Sequence, residues 1–392
     1  MRFVIVALLA VTITGCSAPA AVGPTTTPSP QPSPTPSQAA TAPAVASPSP
    51  FATPTPITDL AQVFRPLTTG WRPTGPTLMF GTREADGVTL IAVPFGPNGR
   101  TSEPIRLLSF IGGEWDLRSD GGALAVAVST ALGIRIAVWD IASSTGRWIT
   151  ASGPDAVAYS PVWSKDGNSI FFGTPEGPDT GAVKRVGVDG QGLATIGRPD
   201  RFGGLVGIAP DGGSLIWSRG QEGGSAELLE IATGANKHLG DNARVVSWRT
   251  QQPRVLLMVG GCCAGRPGGS LEAFDDDAMT STVVAEVPPD GRFAFGAGAW
   301  DPSGMRIVAW RYDGLTAGDA SLVIIDPRAG TIQPISDVLG IGAILWLDLG
   351  IVVTRALARS AESDVVLVPP QGGPSIQLYR GSGIGRLVVV RP

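Results

Sequence analysis

Histidine, cysteine and lysine are scarce in this chain, and their scarcity limits the chemistry that it can carry. Its 392 residues include one histidine, three cysteines and three lysines. A zinc site needs several His or Cys ligands, and a Ser-His-Asp triad needs a histidine beside its nucleophile. The GxSxG turn that presents a catalytic serine is missing, and no lysine follows a GxxxxG phosphate loop. The sequence therefore predicts no catalytic residue, no metal site and no cofactor.

Basic clusters and helical periodicity are also lacking. The formal net charge is −4 and no basic cluster occurs, which argues against nucleic acid as a partner. No stretch keeps a 3.6-residue apolar period, so almost no helix is expected. The apolar run from Val338 to Leu357 has Asp348 near its centre. We interpret this run as two buried strands across a turn rather than as a membrane span.

A pattern of an aromatic residue, a polar turn and a short apolar strand returns about every 46 residues. Clear copies are VWSKDGNSIFF from Val162, GIAPDGGSLIW from Gly207 and AWDPSGMRIVA from Ala299. A repeat of this length is typical of a β-propeller blade. Aligned on the motif position, the copies fall at Trp71, Trp115, Trp163, Ile208, Trp248, Trp300 and Trp346. The seventh copy is two residues shorter around Asp348-Leu349-Gly350.

Three further apolar strands follow the motif aromatic in each copy, with turn signals about every ten residues. This pattern predicts an all-β fold, a seven-bladed β-propeller of four-stranded blades, with six or eight blades as alternatives. The last strand, RLVVVR from Arg386, comes after a complete seventh blade, while the first blade has a weak inner strand. We therefore expect the C-terminal strand to pair with the first blade and close the ring, which removes an exposed edge.

The repeat resembles the TolB-type propeller repeat, whose blades carry a Trp-Ser-Pro-Asp-Gly core. The nearest copies are Trp163-Ser164-Lys165-Asp166-Gly167 and Trp300-Asp301-Pro302-Ser303-Gly304. The resemblance covers roughly residues 65–392. It implies the propeller fold and little about function, because such repeats occur in adaptors, sensors and the regulatory domains of peptidases.

The N-terminus is typical of a secreted protein. Arg2 precedes an apolar run from Phe3 to Ile13, and Thr14-Gly15-Cys16 follows. The apolar core is too short to span a membrane as a helix, so residues 1–15 are predicted to be a signal peptide. Ile13-Thr14-Gly15-Cys16 resembles the bacterial lipobox, in which the cysteine becomes the lipidated N-terminus. The alternative is an ordinary signal peptide followed by a chance cysteine.

Proline, serine, threonine and alanine dominate the next segment. Residues 17–56 contain twelve Pro, thirteen Ser or Thr, nine Ala and no charged residue. Such a composition cannot bury a core. We predict a lipid-anchored, disordered linker over residues 16–56 and a TolB-like propeller over residues 57–392. A proline-rich docking motif is the alternative for the linker.

Two adjacent cysteines, Cys262 and Cys263, lie in GGCCAGRPGG between the second and third strands of the fifth copy. In an oxidising compartment, paired thiols are expected to close into a disulfide. Neighbouring Cα atoms are about 3.8 Å apart, below the usual disulfide span, so a vicinal bond would be strained. A disulfide that staples the loop is the first interpretation. Two free thiols, or a redox-active or ligand-contacting ring, remain as alternatives.

Other polar residues fit structural roles. His238 falls where a turn enters an outer strand, as expected of a surface histidine. The triplet Asp275-Asp276-Asp277 could suggest calcium, but its position predicts a solvated turn between strands. Four further tryptophans fall on predicted strands, where they are expected to pack between blades. They are Trp139, Trp148, Trp217 and Trp310.

An arginine follows the second strand of four copies, namely Arg83, Arg219, Arg311 and Arg355. These strand ends lie on one side of the predicted disc, where the connecting loops vary from about five to ten residues. Tyr312 lies beside Arg311 on the same side. The simplest interpretation is a set of solvated strand ends. The alternative is a polar binding face that holds an acidic or peptide partner.

The sequence thus predicts a lipid-anchored propeller on the extracytoplasmic side of the cell membrane. We expect it to act as a non-catalytic protein-binding or scaffold module, with envelope proteins or peptides as partners and the membrane reached through the lipid. An envelope sensor for a small molecule or glycan is an alternative, and a hydrolase or lyase is another. Because propellers serve many chemistries, the fold alone names no partner.

Overall fold

The computed structural model describes most of the chain after residue 58. The described residues are 59–96, 101–153, 156–177, 180–199, 203–218, 224–249, 252, 255–260, 269–288, 293–313, 320–339, 342–357 and 360–391. The chain divides into two units, residues 1–55 and 56–392. The first unit lies outside the described residues, and with it Cys16 and the predicted signal peptide and linker.

The described residues form seven sheets, arranged as blades in chain order. Blade 1 comprises β1 (Phe64–Pro66), β2 (Thr77–Glu84), β3 (Gly87–Pro94), β4 (Ile105–Phe110) and β29 (Leu387–Val390). Blade 2 comprises β5 (Trp115–Leu117), β6 (Ala123–Thr130), β7 (Gly133–Asp140) and β8 (Thr145–Trp148). Blade 3 comprises β9 (Tyr159–Trp163), β10 (Ser169–Pro175), β11 (Gly181–Gly187) and β12 (Ala194–Gly197). Blade 4 comprises β13 (Gly204–Ile208), β14 (Ser214–Ser218), β15 (Ser225–Glu230) and β16 (Asn236–Asp241).

The last three blades follow the same plan. Blade 5 comprises β17 (Ala243–Trp248), β18 (Val255–Val259), β19 (Ser270–Asp275) and β20 (Thr280–Ala285). Blade 6 comprises β21 (Ala294–Trp300), β22 (Ile307–Tyr312), β23 (Ala320–Asp326) and β24 (Thr331–Leu339). Blade 7 comprises β25 (Ile344–Leu347), β26 (Gly350–Ala356), β27 (Glu362–Val368) and β28 (Ile376–Ser382). The seven-bladed, four-stranded prediction is confirmed, and the one helix among the described residues is α1 (Leu60–Val63).

Period-2 alternation places apolar side chains on both faces of each blade. Seven buried clusters result within the described residues, and each lies between two neighbouring blades. In β2, for example, Met79 packs towards blade 2, while Leu78 and Phe80 pack towards blade 7. The core is therefore a ring of interfaces, and each blade is stabilised by both of its neighbours.

The C-terminal strand closes this ring, as the sequence predicted. β29 pairs antiparallel with β2, from Thr77↔Val390 to Phe80↔Leu387, and becomes the innermost strand of blade 1. At the other edge of that blade, β1 pairs with β4. Blade 1 consequently has five strands, one more than predicted, because both ends of the propeller join the same sheet.

Two assignments of the motif position were wrong. In blade 3, Trp163 lies opposite Ile170. The residue of blade 2 that corresponds to Ile170 is Leu124, and it lies opposite Leu117, so Leu117 and not Trp115 holds the motif position. Trp115 is two residues earlier and therefore points to the same side of the strand, which explains why an aromatic there imitated the motif. Trp71 lies outside the strands, and Val389 of β29 takes its place opposite Leu78.

The interpretation of the apolar run 338–357 is confirmed for its described part. β25 and β26 pair across a two-residue turn, Asp348-Leu349, with Leu347 opposite Gly350. This hairpin is the shortened seventh copy of the motif. Across the part of the chain that the structure describes, no helix is long and apolar enough to cross a membrane.

One buried carboxylate links three blades where the ring closes. Asp116 of β5 accepts a hydrogen bond from the Trp163 backbone N–H of blade 3 at 2.8 Å. Its other oxygen lies 2.7 Å from Nη1 of Arg386, which immediately precedes β29. Burial raises the pKa of Asp116, and the Arg386 charge and the Trp163 N–H partly offset that effect.

We expect the Asp116→Asn and Asp116→Ala variants to differ in stability. Asparagine can still accept from the Trp163 N–H and should reduce the free energy of unfolding by about 1 kcal/mol or less. Alanine leaves that buried N–H and Arg386 without their acceptor, so it should cost about 1–3 kcal/mol. Urea unfolding followed by tryptophan fluorescence measures both. An Asp116→Ala variant as stable as wild type would show that Asp116 does not tie the blades together.

Candidate functional site

The propeller presents two unlike faces, which follow from the direction of its strands. The second strands all end on one side, here called the loop face, together with the connections to the third strands and between blades. The opposite side, here called the turn face, carries the connections between strands one and two and between strands three and four. Binding in repeat folds usually uses the side with the more variable loops.

Loop lengths on the loop face differ more than the sequence predicted. The connection between strands two and three is only Ala85-Asp86 in blade 1 and Ala131-Leu132 in blade 2. In blade 5 the same connection spans residues 260–269. The predicted minimum of about five residues was wrong, because blades 1 and 2 use two-residue hairpins. The loop face is therefore asymmetric, with short connections on one side of the ring.

The described arginines of this face have unequal surroundings. Arg83 is exposed at the end of β2, and no ion pair to it is found among the described residues. Arg311 is 27% exposed, and its Nη2 lies 2.8 Å from Asp313 Oδ2. Its guanidinium also lies 5.5 Å from the centre of the Phe293 ring. Arg219 lies outside the described residues, as do Cys262 and Cys263.

Arg355 belongs to an ion cluster that sequence reasoning missed. Asp364 of β27 is fully buried and lies between Arg355 on β26 and Arg380 on β28. Arg355 Nη2 donates to Asp364 Oδ2 at 2.9 Å, and Arg380 Nε donates to Oδ1 at 2.7 Å. Burial opposes ionisation, but the two guanidinium groups outweigh it and hold the pKa of Asp364 below its usual range. Only the register of the three strands brings this triad together, and the repeat pattern does not determine register at single residues.

Tyr312, which was grouped with the arginines, has a buried side chain. It is the last residue of β22 and packs in the cluster between blades 6 and 7. Burial raises the pKa of its hydroxyl. In this arrangement it contributes to the seam between the blades rather than to an open surface.

A second polar group was also missed, near the inner strands of blades 2 and 3. Ser160 adopts a left-handed backbone conformation with a φ of 49°, beside a register shift between β9 and β10. Its N–H and its Oγ–H both donate to Glu114 Oε2, the latter at 3.0 Å. Strained residues often mark functional sites, but here the strain directs Ser160 to a carboxylate of the neighbouring blade.

The acidic triplet differs from its prediction. It lies in the turn between β19 and β20, as predicted, but Asp276 is 2% exposed and is therefore not solvated. Gln252 Nε2 donates to Asp276 Oδ1 at 3.0 Å and to Asp277 Oδ2 at 2.7 Å. Gln252 of a neighbouring turn covers Asp276, while Asp277 is exposed, as predicted for a solvated turn. Within the described ranges, no cluster of three His, Cys, Asp or Glu side chains could hold a metal ion.

The remaining aromatic and histidine predictions agree with the structure. His238 in β16 is 53% exposed. The four tryptophans lie on β7, β8, β14 and β22, namely Trp139, Trp148, Trp217 and Trp310. Trp139 stacks on Phe64 of blade 1 at a centroid distance of 4.9 Å, as expected for packing between blades.

Comparison with known proteins supports the fold and leaves the function open. No family model matches the chain, and no curated protein matches it. Similar solved structures include TolB from Acinetobacter baumannii, with 12% identity, 82% of this chain and 67% of that chain covered, and a TM-score of 0.46. A prolyl endopeptidase has 13% identity and a TM-score of 0.56, with 84% of this chain covered. An oligogalacturonate lyase in complex with manganese has 13% identity and a TM-score of 0.50, and the match covers 79% of this chain and 86% of that chain.

These similarities concern architecture. The chain spans half the length of the prolyl endopeptidase, so that enzyme's activity does not follow from the match. At 13% identity, the prolyl endopeptidase and the lyase show a shared propeller fold alone.

The Asp364 cluster predicts how stability depends on pH. A carboxylate with a depressed folded-state pKa stabilises the protein above about pH 4, and this contribution is lost as pH falls through the folded value. Asp364→Asn should lower the free energy of unfolding at pH 7 by about 1–3 kcal/mol, because two arginines lose their partner. Below pH 4 the difference from wild type should shrink.

Thermal unfolding at pH 7, 5, 4 and 3 measures this effect. Asp313→Asn is the matched control, since it breaks the more exposed Arg311 pair and should change stability by less than about 1 kcal/mol. A constant difference between wild type and Asp364→Asn across all four pH values would contradict the assignment.

Proposed function

We propose that this protein is a lipid-anchored, extracytoplasmic β-propeller that acts as a non-catalytic protein-binding or scaffold module at the cell envelope. The asymmetry of the loop face carries the proposal. A closed ring holds connections that range from the two residues Ala85-Asp86 to residues 260–269 on one side. Variable loops on a rigid scaffold are the usual basis of partner recognition.

The electrostatics of the loop face favour surface recognition over catalysis. Two of its described arginines form ion pairs within their own blades, Arg311 with Asp313 and Arg355 with Asp364. These polar groups therefore serve their own strand ends instead of converging on one point. Arg83 differs, because it is exposed and has no ion pair among the described residues. An exposed charge of this kind mainly affects the association rate and its salt dependence.

Charge reversal at one residue on each face tests the proposal. Partners would be captured by cross-linking in the native cells with the full chain, then identified and titrated. Arg83→Glu should weaken capture of the main partner about five- to tenfold and make capture less sensitive to salt, because an attraction that salt screens is lost. It should leave the melting temperature within about 2 °C of wild type, as for other surface substitutions.

Lys165→Glu is the matched control. Lys165 is exposed in the turn after β9, on the turn face, and the reversal changes the charge by the same amount. The double change Asp276→Lys with Asp277→Lys would be a poor control, since Asp276 is buried. If Lys165→Glu abolishes capture and Arg83→Glu does not, the partner docks on the turn face.

The anchor is tested separately. Cys16→Ser should leave the precursor uncleaved or release the protein into the medium, because the lipid provides the membrane attachment. Stable anchoring takes two acyl chains or an equivalent second signal, and the lipidated cysteine would supply these chains. Membrane fractionation with intact-mass measurement distinguishes the outcomes. Unchanged mass and unchanged membrane association of the variant would refute lipidation.

A further inference from the structure

A cleft of about 690 Å³ opens on the turn face, where blade 7 meets blade 1. One wall is the short hairpin of blade 7, and the other is the segment after β3 in blade 1. Clefts at three other seams and edges measure about 320 to 380 Å³. A volume of this size lies within the range of ligand sites in proteins, about 300–1,000 Å³.

The cleft exists because the repeat is broken on both of its sides. The blade 7 hairpin turns with Asp348-Leu349 alone, whereas residues 164–168 form the same connection in blade 3. On the other side, residues 95–104 connect strands three and four of blade 1, whereas residues 141–144 suffice in blade 2. A shortened connection in blade 7 thus borders the cleft together with Phe95, Gly96 and Ser102 from a longer connection in blade 1.

Backbone hydrogen bonds fix the blade 1 wall. The Phe95 N–H donates to the Pro76 carbonyl at 2.9 Å, and the Ser102 N–H donates to the Pro94 carbonyl at 3.0 Å. Phe95 also forms an isolated β-bridge with Thr101. These bonds hold Phe95 against the residue that precedes β2 and hold Ser102 against the end of β3, so both of these lining residues are fixed by the backbone.

The lining is mainly apolar, with one ion pair at its rim. The apolar residues are Pro76, Pro94, Phe95, Leu347, Leu349 and Val389. Leu349 is 39% exposed, so its side chain is accessible to a ligand in the cleft. Arg391 and Asp348 are the charged lining residues, and Arg391 Nη2 lies 3.4 Å from Asp348 Oδ2.

That ion pair leaves most of the guanidinium available. Arg391 and Asp348 are 65% and 70% exposed, and pairs of this kind contribute only about 0–1 kcal/mol. A guanidinium has five N–H donors and can bind a second carboxylate while keeping the first. In blade 7, Asp364 shows the reverse case, in which one carboxylate binds two guanidinium groups.

We propose that this cleft binds an extended polypeptide segment of a partner, with a large apolar side chain in the cleft and a neighbouring carboxylate on Arg391. The apolar lining, the exposed Leu349 and the available donors of Arg391 together select this chemistry. The inference rests on the proposed function in taking a polypeptide as the ligand, and it adds a recognition site on the turn face.

Small probes test the cleft without a known partner. The full chain, with labelled leucine and valine methyl groups, would be titrated with N-acetyl-leucine and N-acetyl-leucinamide. The acid should bind with a dissociation constant in the millimolar range and about five- to tenfold more tightly than the amide. The signals of Leu349 and Val389 should shift. Equal binding of acid and amide, or shifts confined to the loop face, would overturn the proposal.

Variants separate the two parts of the site. Arg391→Gln should abolish the preference for the acid, while Lys165→Gln, on the same face outside the cleft, should keep it. Thr74→Trp fills the cleft from an exposed position and should block both probes. Met305→Trp adds the same aromatic to an exposed turn position in blade 6, outside the cleft, and should leave the binding of both probes unchanged. Retained binding in Thr74→Trp would rule the cleft out.

Peptides decide whether the ligand is a polypeptide. A hexapeptide with leucine followed by aspartate should bind at least tenfold more tightly than N-acetyl-leucine, and its asparagine counterpart should lose that gain. If the small acid binds and neither peptide improves on it, the cleft is a small-molecule site and this inference fails. Capture of partners by cross-linking is measured separately, so a negative result with these peptides does not contradict the proposed function.

Discussion

The hydrogen-bonded pairing of β29 with β2 is the constraint on which the other interfaces depend. Each blade packs on two neighbours, so an open ring would expose the apolar faces of blades 1 and 7. The pairing runs from Thr77↔Val390 to Phe80↔Leu387 and brings the C-terminus into the first sheet. Asp116 reinforces the closure, since it contacts Arg386 beside the closing strand and the backbone of blade 3. The pairing of β29 with β2 therefore also determines whether the apolar faces of blades 1 and 7 are buried.

Most of the fold could be predicted from the sequence because the repeat encodes it redundantly. Blade number and strand number followed from several copies of one pattern, so a degraded copy such as Ile208 did little harm. Ring closure followed from the strand that remains after the seventh copy. The errors occurred where one residue decided the outcome. Trp115 was taken for Leu117 because residues two apart on a strand share a side, and composition cannot distinguish them. Trp71 was taken for an inner-strand residue although β29, distant in sequence, occupies that place.

The polar sites were harder to predict, because they depend on which strands lie side by side. Arg355, Asp364 and Arg380 are 9 and 16 residues apart, and only the register of three strands unites them. Asp276 looked solvated in a turn, but contact with Gln252 from another turn buries it. The arginines after the second strands were predicted as a set. Their surroundings differ, since Arg83 is exposed while Arg355 lies against a buried carboxylate.

A repeat fold gives every blade the same scaffold, so specificity has to come from departures from the repeat. On the loop face these departures are the connections between strands two and three, whose lengths differ from blade to blade. On the turn face they are a shortened hairpin in blade 7 and a lengthened segment in blade 1, on the two sides of one seam. Ring closure is linked to the departures on the turn face, because β29 supplies Val389 to the cleft and Arg391 directly follows this strand. The strand that completes the fold therefore also places an apolar surface and a cation next to the most irregular part of the turn face.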